Sequence, residues 1–448
     1  MRNTHKANYG LAVVGVMLVM LLSSCASNDM YRSDYEICDY EKTGDCASSA
    51  LQVSGLGSDK EYRLGFVEYD DQGQMRDRQQ MNRVLNEYRE IAIREDVMLV
   101  TFVHGWHHSA KPEDDNIRSF RTMLQRLSKK EGLGSLQQSR AKRKILGLYI
   151  GWRGDSITIP YLNHITFWDR KNTAHTVGQQ GVTEVLLKLE EIVNVKAGIE
   201  EETPPPLNSR MVVIGHSFGG AVVYTSLQKI LADRFVNSRR GKTFSGDAQG
   251  FGDLVVLMNP AFEALRYSSL YDLSQESCRG YFSNQLPRLA VLTSETDLAT
   301  KYAFPAGRFF ATLFESHLDL DRHYCVAPGK NGVKTMEISE GEAARHTIGH
   351  FTPYLTHRLN PLEKAAPHPA DYQVNQVQLD WERQQMGGTL DFEGSQLVHL
   401  GRSTARNPYL NVQVDKALID GHNDIWRDDM INFIRDLIVI STTPLAHP

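Results

Sequence analysis

Short apolar runs alternate along this chain with stretches whose apolar positions recur every three or four residues. Residues 63–69, 97–103, 144–152, 211–214, 253–258, 289–292 and 409–414 read as strands. Most are apolar at successive positions, as strands covered on both faces must be. Between them, 78–95 sets Val84, Leu85, Tyr88 and Ile91 on one side, and 116–130 repeats Ile117, Phe120, Met123, Leu124 and Leu127. A third stripe in 180–195 carries Val182, Val185, Leu186, Leu189 and Ile192. Residues 221–231 are helix-compatible, and a last helix places Trp426, Met430, Phe433, Ile434, Leu437 and Ile438 on one face. Strands alternating with amphipathic helices predict an α/β fold, a mostly parallel sheet flanked by helices. The aromatic-rich stretch 153–173 is irregular in pattern, 233–252 is a polar loop, and 300–400 has the mixed signals of an insertion before the last strand. There is no internal repeat.

The N-terminus has a different pattern. Arg2 and Lys6 precede a nearly unbroken apolar run, 11–22, of signal-peptide length and short for a bilayer span. It ends in Leu22-Ser23-Ser24-Cys25, which resembles the bacterial lipobox. That resemblance implies cleavage before Cys25, lipid on its thiol and, with Ala26 following, an outer-membrane address facing the periplasm. The stretch 26–60, rich in Ser, Asp, Asn and Tyr and without sustained period, reads as a tether. The division expected is thus a signal peptide over 1–24, a tether over 25–60, and one domain over 61–448 with its insertion at about 300–400.

Composition changes this picture little. The 448 residues are 41% hydrophobic and 23% charged with a net charge of −5, a globular balance without a basic stretch for nucleic acid. The cysteines are more telling. Beyond Cys25 there are four, an even number that suits an exported chain with two bridges. Three connectivities are open, and Cys38–Cys46 with Cys278–Cys325 is favoured because neither pair ties the tether to the core. No Cys-x-x-Cys is present to suggest a zinc site.

The chemistry is concentrated in 211–220, Met-Val-Val-Ile-Gly-His-Ser-Phe-Gly-Gly. A buried strand, a tight Gly-x-Ser-x-Gly turn and a helix, in that order, form the context of a nucleophile elbow. Gly215 and Gly219 keep strand and helix backbones close, while Ser217 projects beside the unsatisfied first N–H groups of the helix. Here the chain resembles the α/β-hydrolase superfamily, in its serine esterase and lipase-like branch. The resemblance covers roughly 97–300 and 405–440.

The resemblance implies an acid after a late strand and a histidine after the last one. Asp297 meets the first requirement, with Glu295 as the alternative, and His422 meets the second. The apolar strand ending in His104-Gly105-Trp106 resembles the oxyanion loop of these enzymes, so the N–H groups of Trp106 and Phe218 are the expected oxyanion donors. His346 and His350 are one helical turn apart, but no carboxylate completes a ligand motif there. His107 and His108 could line the pocket, while His104 and His216 support loop geometry. Asp420 and Asp424 fit loop and capping roles. No cofactor or metal is implied. The expected reaction is hydrolysis of a small-molecule or lipid carboxylic ester through an acyl-enzyme. Transfer of the acyl group to an envelope acceptor, or a non-catalytic envelope scaffold keeping this fold, are the alternatives.

Overall fold

A computed structural model describes residues 29–137, 140–154, 167–198, 208–240, 243–244, 247–312, 315–362 and 379–442. The stretch 1–24 expected to be a signal peptide, and Cys25, lie outside the described residues. Among those described, no helix is long and apolar enough to cross a membrane.

The strands in chain order are β1 Asp34–Asp39, β2 Ser49–Ser54, β3 Tyr62–Glu68, β4 Val97–Val103, β5 Lys144–Gly151 and β6 Arg210–His216. A two-residue ribbon, β7 Arg239–Arg240 with β8 Thr243–Phe244, precedes β9 Leu254–Met258 and β10 Leu289–Ser294. The hairpin β11 Asp319–Cys325 with β12 Val333–Ser339 follows, then β13 His357–Pro361, β14 Thr389–Phe392, β15 Ser395–His399 and β16 Tyr409–Val414. One 12-stranded sheet has the order β1-β2-β3-β5-β4-β6-β9-β10-β16-β13-β15-β14. From β3 through β13 all neighbours are parallel. Within this sheet, antiparallel pairing is confined to β2 against β3 and to β15 against β13 and β14.

The helices are α1 Tyr40–Thr43, α2 Arg78–Arg94, α3 Asp115–Gln137, α4 Phe167–Gln179, α5 Gly181–Val193, α6 Phe218–Asn237, α7 Ala264–Gln275, α8 Phe304–Ala311, α9 Glu340–Arg345 and α10 Asp428–Thr442. They cover both faces, which is why the central strands are apolar at every position. In β4, Leu99 and Val103 enter a core with Val84 and Tyr88 of α2, Leu186 and Leu189 of α5 and Val222 of α6. The intervening Met98, Val100 and Phe102 enter a second core with Phe120 and Leu124 of α3 and Phe433 and Ile434 of α10. Each such side chain contributes roughly 1.5–3 kcal/mol by leaving water.

The direction of winding reverses between β4 and β6. The connection leaving β4 returns through α3 to β5 on one side, and the connection leaving β6 passes through α6 to β9 on the other. The two connections therefore diverge at the carboxyl ends of β4 and β6, the usual place for a ligand in such a sheet.

Three expectations need correction. The stretch assigned as a tether is part of the domain from β1 to β2. Arg32, buried, donates through Nε to the Ala110 carbonyl (3.0 Å) and through its guanidinium to the Ala47 carbonyl (2.6 Å), and its charge lies 4.1 Å from the Phe66 ring centroid. The buried Glu68 carboxylate accepts from the backbone N–H of Tyr31 (3.1 Å) and Arg32 (2.8 Å). β2 is fully buried despite carrying Ser49, Gln52 and Ser54. Gln52 donates to the Cys46 carbonyl and Ser54 to the Glu41 carboxylate, each at 2.7 Å, so no apolar pattern betrays it. The aromatic stretch is likewise not irregular to its end, because Phe167 opens α4. The 300–400 region is an arm only in part. The β11–β12 hairpin forms a separate two-stranded sheet, but β13, β14 and β15 extend the main one past β16. The cysteines pair as Cys38–Cys46 and Cys278–Cys325, with Cα separations of 5.8 and 5.3 Å.

Gly219 is where the helix that follows β6 crosses β4 most closely. A Cβ there would lie 2.1 Å from the Val103 carbonyl oxygen and 2.4 Å from that of His104. Both are backbone atoms and cannot swing away. Gly219→Ala is expected to lower the unfolding free energy by about 3 kcal/mol, read from urea denaturation, whereas Gly134→Ala, inside α3 where a Cβ meets nothing within 4 Å, is expected to raise it by about 0.5–1 kcal/mol.

Candidate functional site

Ser217 sits at the tip of the turn between β6 and α6 with φ 55° and ψ −121°, a region that non-glycine residues seldom occupy. Its neighbours enforce this. A Cβ on Gly215 would fall 2.6 Å from the Gly219 carbonyl oxygen, and one on Gly220 2.9 Å from the Pro260 side chain. The Ser217 amide donates to the Met258 carbonyl (2.9 Å) and its carbonyl accepts from Ala261 (3.1 Å), so the turn is tied to the end of β9. Such strain costs on the order of 1–3 kcal/mol and holds the hydroxyl clear of the sheet.

His422 reaches the hydroxyl from the loop between β16 and α10. Its Nε2 lies 2.6 Å from Ser217 Oγ, and its Nδ1 lies 2.8 Å from Asp297 Oδ2. A carboxylate can only accept, so Nδ1 carries the proton and Nε2 is the acceptor facing the serine. Asp297 is wholly buried. It accepts from the Ala299 N–H (3.0 Å), the Thr300 N–H (3.1 Å), the Thr300 hydroxyl (2.5 Å) and His422. Burial alone pushes its carboxyl upward, but the His422 imidazole and these donors outweigh that and hold it below the ordinary value of 3.8.

The other residues singled out from the sequence have separate places. Glu295 points away from His422, with Arg358 at 2.8 Å. His350 is brought into the site in an unanticipated way. Its Nε2 donates to the Thr300 hydroxyl (3.0 Å), which in turn donates to Asp297, and burial lowers its pKa to about 4. His346 is instead bonded through Nδ1 to the Glu342 carbonyl. Among the described residues, no three His, Cys, Asp or Glu side chains converge as a metal site would require. Asp420 accepts from the Thr296 hydroxyl at 3.4 Å, and Asp424 pairs with Arg427 at 3.3 Å.

The loop after β4 lies against the serine. A Cβ on Gly105 would come within 2.7 Å of Ser217 Cβ, so only glycine lets this backbone approach. Phe218 is the first residue of the 20-residue α6, where an N–H has no partner within its own helix. The rings of Trp106 and Phe218 lie 6.4 Å apart, and Phe167 packs between them at 5.2 and 4.9 Å. Phe304 lies 6.4 Å from Phe167, extending this aromatic wall beside Ser217.

His104 and His216 hold backbone. His104 donates from Nδ1 to the Gly105 carbonyl (2.9 Å) and accepts from the Trp152 N–H at Nε2 (3.0 Å). His216 donates from Nε2 to the His422 carbonyl (3.0 Å). Burial lowers the first to about 4 and the second to about 3, so both are neutral. His108 pairs with Asp114 at 3.1 Å, and the His107 ring stacks on Trp106 at 3.9 Å.

Sequence reasoning missed the residues that aim His422. Asn259, at φ 43°, donates from Nδ2 to the carbonyls of His422 (2.8 Å) and Gly421 (3.2 Å) while its Oδ1 accepts from the Ser294 N–H (2.9 Å). The Ser294 hydroxyl donates to the Ile419 carbonyl (2.7 Å), and the Gly421 N–H donates to Thr296 Oγ1 (3.1 Å). The ends of β9 and β10 thereby fix the histidine loop. The one signal available was Asn259-Pro260 directly after an apolar strand, which marks a turn and no more.

The buried neutral histidines set a pH dependence. Each is protonated near 6.5 when unfolded but only near 3–4 when folded, so its contribution is complete above 6.5 and is lost as pH falls toward 4. At pH 5, His104 and His216 are expected to cost about 2 kcal/mol each relative to pH 7, measured by urea unfolding at both values. The lowered Asp297 acts only below 3.8, outside this window. An unfolding free energy equal at pH 7 and 5 would show that these imidazoles are not held neutral. The chain matches no protein-family model, no curated protein and no solved structure.

Proposed function

We propose that the chain is a serine hydrolase of the α/β-hydrolase type that cleaves a carboxylic ester. The observation carrying this reading is the unbroken hydrogen-bonded line from Asp297 through His422 to a Ser217 held at positive φ. A hydroxyl is a poor nucleophile at neutral pH and needs an oriented base beside it, which this line supplies. The chain order of serine, acid and histidine, each on a loop at the carboxyl edge of the sheet, also supports it.

In the proposed reaction, Ser217 Oγ attacks the ester carbonyl as its proton passes to His422 Nε2. The imidazolium is stabilised by Asp297 through Nδ1–H. The N–H groups of Phe218 and Trp106 are assigned to the oxyanion, and α6 adds the positive end of its dipole. Proton return from Nε2 to the leaving alcohol gives the acyl-enzyme. Water, deprotonated by the same nitrogen, then releases the acid and free Ser217.

The cell envelope is the proposed location, with Cys25 as a lipid anchor. The two disulfides fit an oxidising compartment outside the cytoplasm.

A fluorophosphonate tests the chemistry without a known substrate. Wild type is expected to label on Ser217, with the site mapped by mass spectrometry. Asp297→Asn should slow labelling by about 10³–10⁴-fold, and His422→Ala by at least as much. A folded wild type that does not label would overturn the reading. Ser217→Gly is expected to abolish labelling while raising the unfolding free energy by about 1 kcal/mol, because glycine relieves the strained φ. A destabilised glycine variant would show that no strain is stored at the turn.

A further inference from the structure

We infer that the helical run following Asp297 docks on the surface of the bilayer that holds the N-terminus, so that the catalytic edge of the sheet faces lipid. Residues Ala299–Ala303 form a π-helical turn that continues directly into α8. Its inner side is fixed. Phe304 is fully buried 5.7 Å from Trp168, and a Cβ on Gly307 would collide with the Trp168 ring. Its outer side carries Leu298, Tyr302 and Phe309, which are 64%, 61% and 46% exposed. A single exposed apolar residue is ordinary, whereas three on one side of one helical run are a stripe. Two cations flank it: Lys301 Nζ is 5.6 Å from the Tyr302 ring centroid, and the Arg345 guanidinium is 5.3 Å from that of Phe309. Apolar and aromatic side chains bordered by Lys and Arg fit the boundary between acyl chains and anionic headgroups.

The occupant is identified by where the chain emerges. β3 and β10 run parallel through their neighbours, so Glu68 and Ser294 end at the same edge of the sheet. Tyr31 and Arg32 are bound to Glu68, and Asp29 and Tyr31 line one cavity with His107 and His108 of the loop beside Ser217. Residues 26–28 and the bonds at either end let Cys25 lie no more than about 14 Å from Asp29. The strand order β3-β5-β4-β6-β9-β10 sets the two features about 24 Å apart along the edge, with Ser217 between them. A side-on approach is disfavoured because β1, the outermost strand there, presents exposed Asp34 and Glu36 to anionic headgroups. That reach lets anchor and stripe meet one plane, with the serine facing it. The inference rests on the Cys25 anchor, and with the proposed chemistry it selects a lipid ester of that bilayer as substrate.

The test uses the full chain, purified from membranes and reconstituted into phosphatidylcholine–phosphatidylglycerol vesicles containing a diazirine-bearing phospholipid. After irradiation and digestion, adducts are expected on the peptide spanning 298–309. They should be at least fivefold fewer on peptides holding Leu136 or Phe282, which are exposed toward the opposite edge. The double variant Leu298→Glu, Tyr302→Glu should lose the adduct while still floating with the vesicles. Equal labelling of both edges, or none at 298–309, overturns the docking, and so does a wild-type chain that does not float. Fluorophosphonate labelling of the same sample reads Ser217 separately, so a failed hydrolase reading and a failed docking surface are told apart.

Discussion

Everything at this site depends on keeping one carboxylate charged without water. Asp297 has no exposed surface, and an isolated charge in that position would cost many kcal/mol. Three protein donors besides His422 meet it, two of them backbone N–H groups of the turn that begins the helical run. The run therefore has two tasks. Its first turn solvates the acid, and its continuation packs Phe304 against Trp168. His350 holds the Thr300 hydroxyl in its donating orientation, so the line begun at Ser217 extends to a residue from the 300–400 region.

The serine turn depends on a different constraint, close approach. Strand, turn and helix backbones approach so nearly that carbon atoms are excluded at Gly105, Gly215 and Gly219. Rigidity follows, because neither the β4 loop nor α6 can shift without collision. His422 has no such confinement of its own. Its loop is aimed by hydrogen bonds from Asn259, Ser294 and His216. Ser217 is thus positioned by packing and His422 by polar contacts, and only the second kind responds to protonation.

Those two modes also explain what could be read from the sequence. The central strands, the major helices and the elbow were legible because burial on both faces forces apolar runs, and close approach forces glycine. Asp297 and His422 could be picked out by chain order and by resemblance. Asn259, Thr300 and His350 could not, since a polar residue that bonds to backbone leaves no period. β2 failed for the same reason: Ser49, Gln52 and Ser54 are buried, the last two with internal partners, and look like loop residues. The 300–400 region was ambiguous because it mixes a separate hairpin with strands of the main sheet.

The docking of the N-terminal segment has a mechanical consequence. Among the described residues, a pull from the N-terminal side loads Arg32 and Glu68, whose hydrogen bonds tie Tyr31 and Arg32 to the end of β3, to Ala47 and to Ala110. If those yield and β1 begins to peel, the Cys38–Cys46 bridge hands the load covalently to the start of β2, bypassing the residues between. Force is therefore dissipated in the outer strands, three strand positions from the Ser217 turn at β6, counting from β3. The domain can bear tension applied through this segment while the serine, histidine and carboxylate keep their spacing.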